Sequence, residues 1–273
     1  MWFIRHARSI ANVWDKCVDG ELDIKSLRED ERKILESAKG YFDRAFIDVS
    51  LCHFGESQSI AARSIVEKLP LKYVIVSPLK RALQTAKLMF ETHPNRKNMK
   101  FIVNPHIREL IMYPDAIPSW TLRDKAKEYE NCGDLKFDFG MIKPMEDHSY
   151  FLETMDPKIQ KRIKTHLDSS PKDKYDEALL DLMIETYQGK HGKEKFLESY
   201  ADGRRRAKVF LDWLKNFIEE KQAKEGEIAV VTHVLFLQSL AAKDFDRNGR
   251  PIYPEVENAT PFEIDINEVL KYY

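Results

Sequence analysis

Short apolar runs alternate with amphipathic stretches over the first 110 residues and again after residue 200. Residues 2–5 read as a short buried strand that begins the fold. Residues 72–76, 100–103 and 227–232 are similar apolar runs, each strand-sized. A last strand is expected over 260–266. Between these runs the apolar positions take up helical spacing. In 55–69 they fall at Ile60 or Ala61, Ile65 and Leu69. Downstream of Ser77-Pro78 they fall at Leu79, Ala82, Leu83, Ala86 and Met89 or Phe90. In 203–221 they fall at Ala207, Phe210, Leu211, Leu214, Phe217 and Ile218. A short apolar helix fits 234–243, and a charged surface helix fits 21–44. The alternation predicts an α/β fold, a mostly parallel central sheet flanked by helices.

The pattern changes over 113–200. Pro114, Pro118, Pro144, Pro157 and Pro171 break it up, and charged helices fit 121–131, 158–167 and 174–187. We read it as a helical insertion, a lid or side lobe within a single domain of 1–273. With 43% hydrophobic and 33% charged residues, the chain can bury a substantial core. A net charge of −1 gives no global attraction to nucleic acid or to an anionic membrane, so any anion site is local. The apolar runs are far too short to span a membrane, and the N-terminal residues do not read as a secretory signal. Cys17, Cys52 and Cys132 form neither a CxxC nor a zinc pattern. The expectation is a reduced, cytoplasmic protein. Oligomeric state has no signature in the sequence.

Candidate chemistry collects where strands end. Arg5 and His6 close the first run, His233 follows 228–232 directly, and Glu109 lies past 100–103. Arg81 sits in the first turn of a helix expected to open at Ser77-Pro78, with Ser as cap and Pro in the first helical position. Ligands of open α/β sheets bind beyond the carboxyl ends of strands. Helix N-termini there offer free amides to phosphate. A guanidinium binds two phosphate oxygens at once, and a neutral imidazole can attack phosphorus. A carboxyl can protonate a leaving oxygen if burial raises its pKa. Two arginines, two histidines and one carboxylate suit a phosphoryl group held temporarily on histidine. Each residue alone has a plainer reading: a histidine bonded to a loop carbonyl, or a surface ion pair. The trio Arg204-Arg205-Arg206 is expected to face solvent, at least in part.

The order strand–Arg-His, strand–Ser-Pro-Leu-Lys-Arg-Ala, Arg-Glu, strand–His resembles the histidine phosphatase, or phosphoglycerate mutase-like, superfamily. Asp48-Val-Ser-Leu51-Cys-His-Phe-Gly55-Glu-Ser-Gln58 resembles that family's Asp-x-x-Leu-Thr-x-x-Gly-x-x-Gln segment, with Cys52 in place of Thr. The resemblance covers 1–112 and 200–266 and is most specific over 77–86. It implies a phosphoglycerate mutase-like fold and gives each residue a role. His6 is the nucleophile, and Arg5, Arg81 and His233 hold the phosphoryl oxygens. Glu109 protonates the leaving group, and Asn12 lines the phosphate pocket. No metal or cofactor is implied.

Three positions depart from the family: Ala7 and Val234 stand where Gly is usual, and Arg8 where Glu is frequent. Arg8 either adds positive charge at the pocket mouth and contacts substrate, or points into solvent. After Glu109 the chain lacks the paired arginines of the mutase branch. The expectation is therefore a metal-independent phosphomonoesterase, a phosphoric monoester hydrolase. Its partner would be a phosphorylated small molecule or phosphoprotein. The alternatives are a mutase-type phosphotransferase and a catalytically weak binding module.

Overall fold

A computed structural model describes residues 1–118, 122–130, 132–142, 149–171, 174–190 and 195–273. The chain runs β1 (Trp2–Arg5), α1 (Ile10–Val18), α2 (Glu29–Ser37), α3 (His53–Ala61), α4 (Arg63–Val66), β2 (Tyr73–Val76), α5 (Lys80–Phe90) and β3 (Lys100–Val103). It continues through α6 (Leu122–Glu130), β4 (Phe137–Asp138), α7 (Ser149–Leu152), α8 (Pro157–Leu167) and α9 (Tyr175–Tyr187). It closes with α10 (Tyr200–Lys221), β5 (Ile228–Thr232), α11 (Val234–Ala241), β6 (Asp244–Phe245), β7 (Pro251–Ile252), β8 (Pro261–Glu263) and α12 (Ile266–Leu270).

Six strands form the main sheet in the order β4-β3-β2-β5-β1-β8. All neighbours are parallel except β1 and β8. Every residue of β5 is buried, as expected of a central strand covered on both faces. Successive side chains alternate between two cores. Ile4, Val74, Val76 and Val231 pack with Ala82, Leu83 and Ala86 of α5. Phe3, Ile75, Ile228 and Val230 pack with Phe210, Leu211 and Leu214 of α10 and Phe236 and Leu240 of α11. Among the described residues no helix is long and apolar enough to cross a membrane.

The stretch 113–200 is built into this arrangement. Its β4 is an edge strand of the main sheet, paired with β3. Its Ile117, Phe151, Ile163, Leu179 and Met183 share one core with Phe101 and Val103 of β3. The expected helix ends at Thr121 and Asn131, and Pro144, lie outside the described residues.

Several expected elements are shorter than their patterns. The helix over 55–69 is two helices, α3 and α4, meeting at Ala62. The helix expected over 21–44 is only α2, with one-turn pieces on either side. The helix expected at Ser77-Pro78 begins at Lys80. Its first amide is satisfied by Asp48 Oδ1 at 2.8 Å, while Ser77 Oγ accepts from Leu79 N–H at 3.3 Å. Helix α1 has no counterpart among the expected elements, although Ile10, Val13, Trp14 and Cys17 follow helical spacing and pack on one side. A reciprocal cap between Ser9 and Asn12 starts it.

Gly55 is required by close packing against backbone. A Cβ on Gly55 would lie 2.0 Å from the backbone oxygen of Arg8. Helix α3 thus rests directly on the loop after His6. Gly55→Ala is expected to destabilise the fold by about 1–3 kcal/mol through overpacking. A denaturant titration would show it as a lower midpoint with an unchanged slope.

Candidate active site

His6 is the first residue beyond β1, and its backbone N–H continues the ladder to Thr232 O at 2.8 Å. Its Nδ1 lies 2.7 Å from Ala7 O, and its Nε2 lies 3.1 Å from Arg81 Nε. A carbonyl only accepts and a guanidinium only donates, so Nδ1 carries the proton and Nε2 carries the lone pair. The ring is buried. Burial, then the charges of Arg81 and Arg5, hold its pKa well below the usual histidine value. His6 is therefore a neutral imidazole with Nε2 set between cations.

His233 begins α11 at the end of β5, its ring centroid 5.0 Å from that of His6. Its Nε2 shares a hydrogen bond with Ser77 Oγ at 2.7 Å. Its Nδ1 is buried with no partner, and a phosphoryl oxygen would satisfy it. Burial, then Arg81, holds this ring neutral as well.

Arg5 and Arg81 supply the positive charge. Arg81 is fully buried; its Nη1 donates to Asp115 O, and its Nη2 lies 3.2 Å from Asp115 Oδ2. Arg5 Nη1 donates to Val256 O at 2.8 Å, and its Nε is buried without a partner. Glu109 is also buried. Its Oε1 accepts from Leu110 N–H at 3.0 Å and Phe236 N–H at 3.1 Å, and its Oε2 accepts from Leu235 N–H at 3.2 Å. Burial is the largest influence and raises its pKa, against the pull of Arg81 and these amides. A carboxylate has about four acceptor positions, and the three amides leave one on Oε2. Arg5, His6, Asn12, Arg81, Glu109 and Val234 all line one cavity of about 170 Å³.

The sequence model of the histidine phosphatase superfamily (branch 1) matches residues 37–130. That stretch holds Arg81 and Glu109; His6 and His233 lie outside it. No curated protein matches the chain. Three solved structures show a distant likeness. One is a mycobacterial hydrolase at 16% identity and TM-score 0.39, covering 88% of this chain and 77% of that one. Another is a mycobacterial glucosyl-3-phosphoglycerate phosphatase at 12% identity and TM-score 0.33, covering 88% and 76%. The third is the Bombix mori ecdysone phosphate phosphatase at 11% identity and TM-score 0.39, covering 93% and 81%.

The histidine phosphatase-like segment 48–58 braces the site. Asp48 caps α5, and Leu51 N–H donates to Gln84 Oε1 at 2.8 Å. Cys52 caps α3 through Sγ, taking the place of the family's Thr. Gly55 admits Arg8 O, and Gln58 Oε1 accepts Arg8 N–H at 3.0 Å. The segment thus fixes the loop that follows His6. Ala7 N–H donates to Thr85 Oγ1 at 3.0 Å, which in turn donates to Arg81 O at 2.7 Å. Asn258 Nδ2 donates to His6 O at 2.7 Å.

Three expectations are corrected. Arg8 is not among the residues that line the cavity; its guanidinium lies 4.4 Å over the ring of Phe54, and its charge reaches the site only through its effect on Arg5. Leu235 and Phe236 amides at the start of α11 are taken by Glu109, and the Lys80 amide by Asp48. These helix N-termini therefore do not offer those amides to phosphate. Of the trio 204–206, Arg205 is exposed and Arg204 half-buried, in line with the partial exposure expected, whereas Arg206 is 2% exposed.

Arg206 belongs to a buried network behind Glu109. It donates to His106 O at 2.7 Å and Arg108 O at 2.6 Å. Its Nε lies 3.4 Å from Glu198 Oε1. Glu198 also holds Arg108 in a two-pronged pair at 2.6 and 3.0 Å and accepts Ile111 N–H at 2.8 Å. The backbone around Glu109 is thus clasped on both sides. Sequence reading missed Glu198, Ser77, Asn258, Asp115 and Asp15. Ser77, read only as a helix cap, stood in the 77–86 motif, and Asp15 lies three residues after Asn12 on one helix; the other three had no local signal.

Burial opposes ionisation of Glu198, but Arg108 and Arg206 outweigh it and bring its pKa to about 2. Its folded pKa is depressed, so its stabilisation is present above the unfolded value near 4.5. That stabilisation is lost as pH falls toward 2. Glu198→Gln is expected to cost about 3–5 kcal/mol at neutral pH by leaving two buried arginines uncompensated. It should also flatten the loss of stability between pH 4.5 and 2, as read from unfolding free energies across that range.

Proposed function

We propose that the chain is a metal-independent phosphomonoesterase that works through a phosphohistidine at His6. The observation that carries this reading is the fixed state of the His6 ring: neutral, Nε2 unprotonated, between Arg5 and Arg81. A phosphoryl group is a better acceptor for a guanidinium than an imidazole nitrogen is. On binding it would take the Arg81 donors and free the Nε2 lone pair. Nε2 then attacks phosphorus, and the bond to the leaving oxygen breaks. That oxygen takes the proton from Glu109. Water next attacks the phosphohistidine and gives its proton to the Glu109 carboxylate. The N–P bond breaks, inorganic phosphate leaves and His6 returns neutral.

Arg5, Arg81 and His233 hold the phosphoryl oxygens, and fixed cations in a water-poor cavity compensate the charge of the transition state. Asn12 spends its Oδ1 on Ser9, which leaves its amide N–H groups for the ligand. The small cavity favours a phosphorylated small molecule over a phosphoprotein. A cytoplasmic setting agrees with three free cysteines.

Turnover of p-nitrophenyl phosphate with EDTA present is expected, and its loss in His6→Ala. Strict dependence on an added divalent metal would defeat this mechanism. No turnover on a broad phosphoester panel would favour the binding module. Phosphoglycerate interconversion stimulated by bisphosphoglycerate would favour the mutase.

The pH profile gives a second test. The depressed His6 pKa keeps the nucleophile neutral through pH 6.5, so imidazole protonation sets no limb there. The raised Glu109 pKa keeps the donor protonated above its usual range, and activity falls as pH rises through that value. Glu109→Gln should remove this alkaline limb. It should lower kcat by about 10²–10⁴ for alkyl phosphates, and by much less for p-nitrophenyl phosphate, whose leaving group needs no proton.

A further inference from the structure

The phosphoryl half of the cavity is lined by Arg5, His6 and Arg81, with the His233 ring against that of His6. Among the described residues, His233 Nδ1 and Arg5 Nε are buried without partners. The other half has a different chemistry. It is lined by Asp15, Tyr41, Tyr113 and Asp115. Tyr41 and Tyr113 meet edge to face with centroids 5.0 Å apart, and Tyr41 hydrogen-bonds Asp15. Among the described residues, Arg5 and Arg81 are the cations that line the cavity, with the charges of Arg8 and Arg250 acting from outside it. Arg250, bonded to Tyr200, does not line it.

The charges constrain the ligand. Two guanidiniums already face two carboxylates before a phosphate arrives. A phosphoryl dianion alone would leave the cavity with uncompensated negative charge in a partly desolvated space, at high cost. The substrate must therefore bring positive charge of its own. Carboxylates beside aromatic rings are the surroundings that bind an ammonium group, by ion pairing and by cation–π attraction. The volume of about 170 Å³ lies below the roughly 300–1,000 Å³ of sites for drug-sized ligands. A compact leaving group can therefore place its ammonium within reach of both carboxylates.

We propose that the substrate is the phosphate monoester of a small amino alcohol, with its ammonium group held by Asp15 and Asp115 beside Tyr41 and Tyr113. This rests on the phosphatase reading above and specifies its substrate class. Asp115 then has two states. Without ligand it pairs with Arg81; with ligand the phosphoryl group takes Arg81, and the ammonium takes Asp115.

A two-carbon series of equal length tests this: O-phosphoethanolamine, 2-hydroxyethyl phosphate and phosphoglycolate, with p-nitrophenyl phosphate as the reference and a phosphoserine peptide as a bulky control. In the wild type, kcat/KM should fall from the ammonium to the neutral to the anionic substrate, by about tenfold or more per step. In Asp15→Asn and Asp115→Asn the first step should shrink about tenfold, and phosphoglycolate turnover should rise. Equal turnover across the series, preference for phosphoglycolate or for the peptide, or an unchanged ratio in both variants would overturn the assignment. If p-nitrophenyl phosphate is hydrolysed in that case, only the substrate class is lost. If it is not hydrolysed either, the phosphatase reading fails with it. The wild-type series needs no variant to fold.

Discussion

Arg5 lies beside Thr232 across β1 and β5, and Val76 lies beside Val231 across β2 and β5. The next residues on these strands, His6, His233 and Ser77, therefore leave the sheet at one place. Backbone bonds from His6 and Ser77 to β5 extend this register one step past the strands. A slip of one residue would exchange the faces of a strand and send one of the three side chains to the far side. The two cores prevent the slip. Ile4, Val76 and Val231 must reach α5, while Phe3, Ile75 and Val230 must reach α10 and α11. Ordinary apolar packing thus sets the distance between the two imidazoles.

Once assembled, the site is held by charge that cannot easily be buried. Arg81, Arg108 and Arg206 are all buried, and each is paired with a carboxylate: Asp115 for the first, Glu198 for the other two. The two histidines stay neutral, first because they are buried and then because of the same positive field. For a base that must attack, neutrality is the useful state. The same arginines that would neutralise a phosphoryl group also keep the nucleophile's lone pair available.

Much of this was legible in the sequence, and the reason differs by element. The central strands read clearly because β-branched runs buried on both faces have few other homes. Helix α10 read clearly because its stripe is long. Arg5, His6, Arg81 and Glu109 could be placed because strand ends and the 77–86 motif mark them locally. Partners joined only by folding could not: Glu198 lies 90 residues from Arg108 and Asn258 lies 252 from His6. The burial of Glu109 was equally hidden, since it comes from α11 and the Arg206 clasp. Arg8 misled because charge in a motif says nothing of direction, and a nearby phenyl ring turned it aside.

The same long-range contacts bear on the role of 113–200. Arg108 adjoins Glu109, and its guanidinium reaches Glu198, Thr154 at 3.1 Å and the face of Phe151 at 6.0 Å. Residues 151, 154 and 198 therefore form the wall behind Glu109. Moving them apart would strip a buried arginine of its partners, a cost too large for routine opening. Selection of substrate by this stretch must then be worked from its first residues. Tyr113 and Asp115 line the cavity directly. Tyr41 packs against Tyr113, and Phe42 packs against Tyr187 of α9 at 4.7 Å. Through these rings the helices of the insertion can shape the leaving-group half of the cavity while the half behind Glu109 stays fixed.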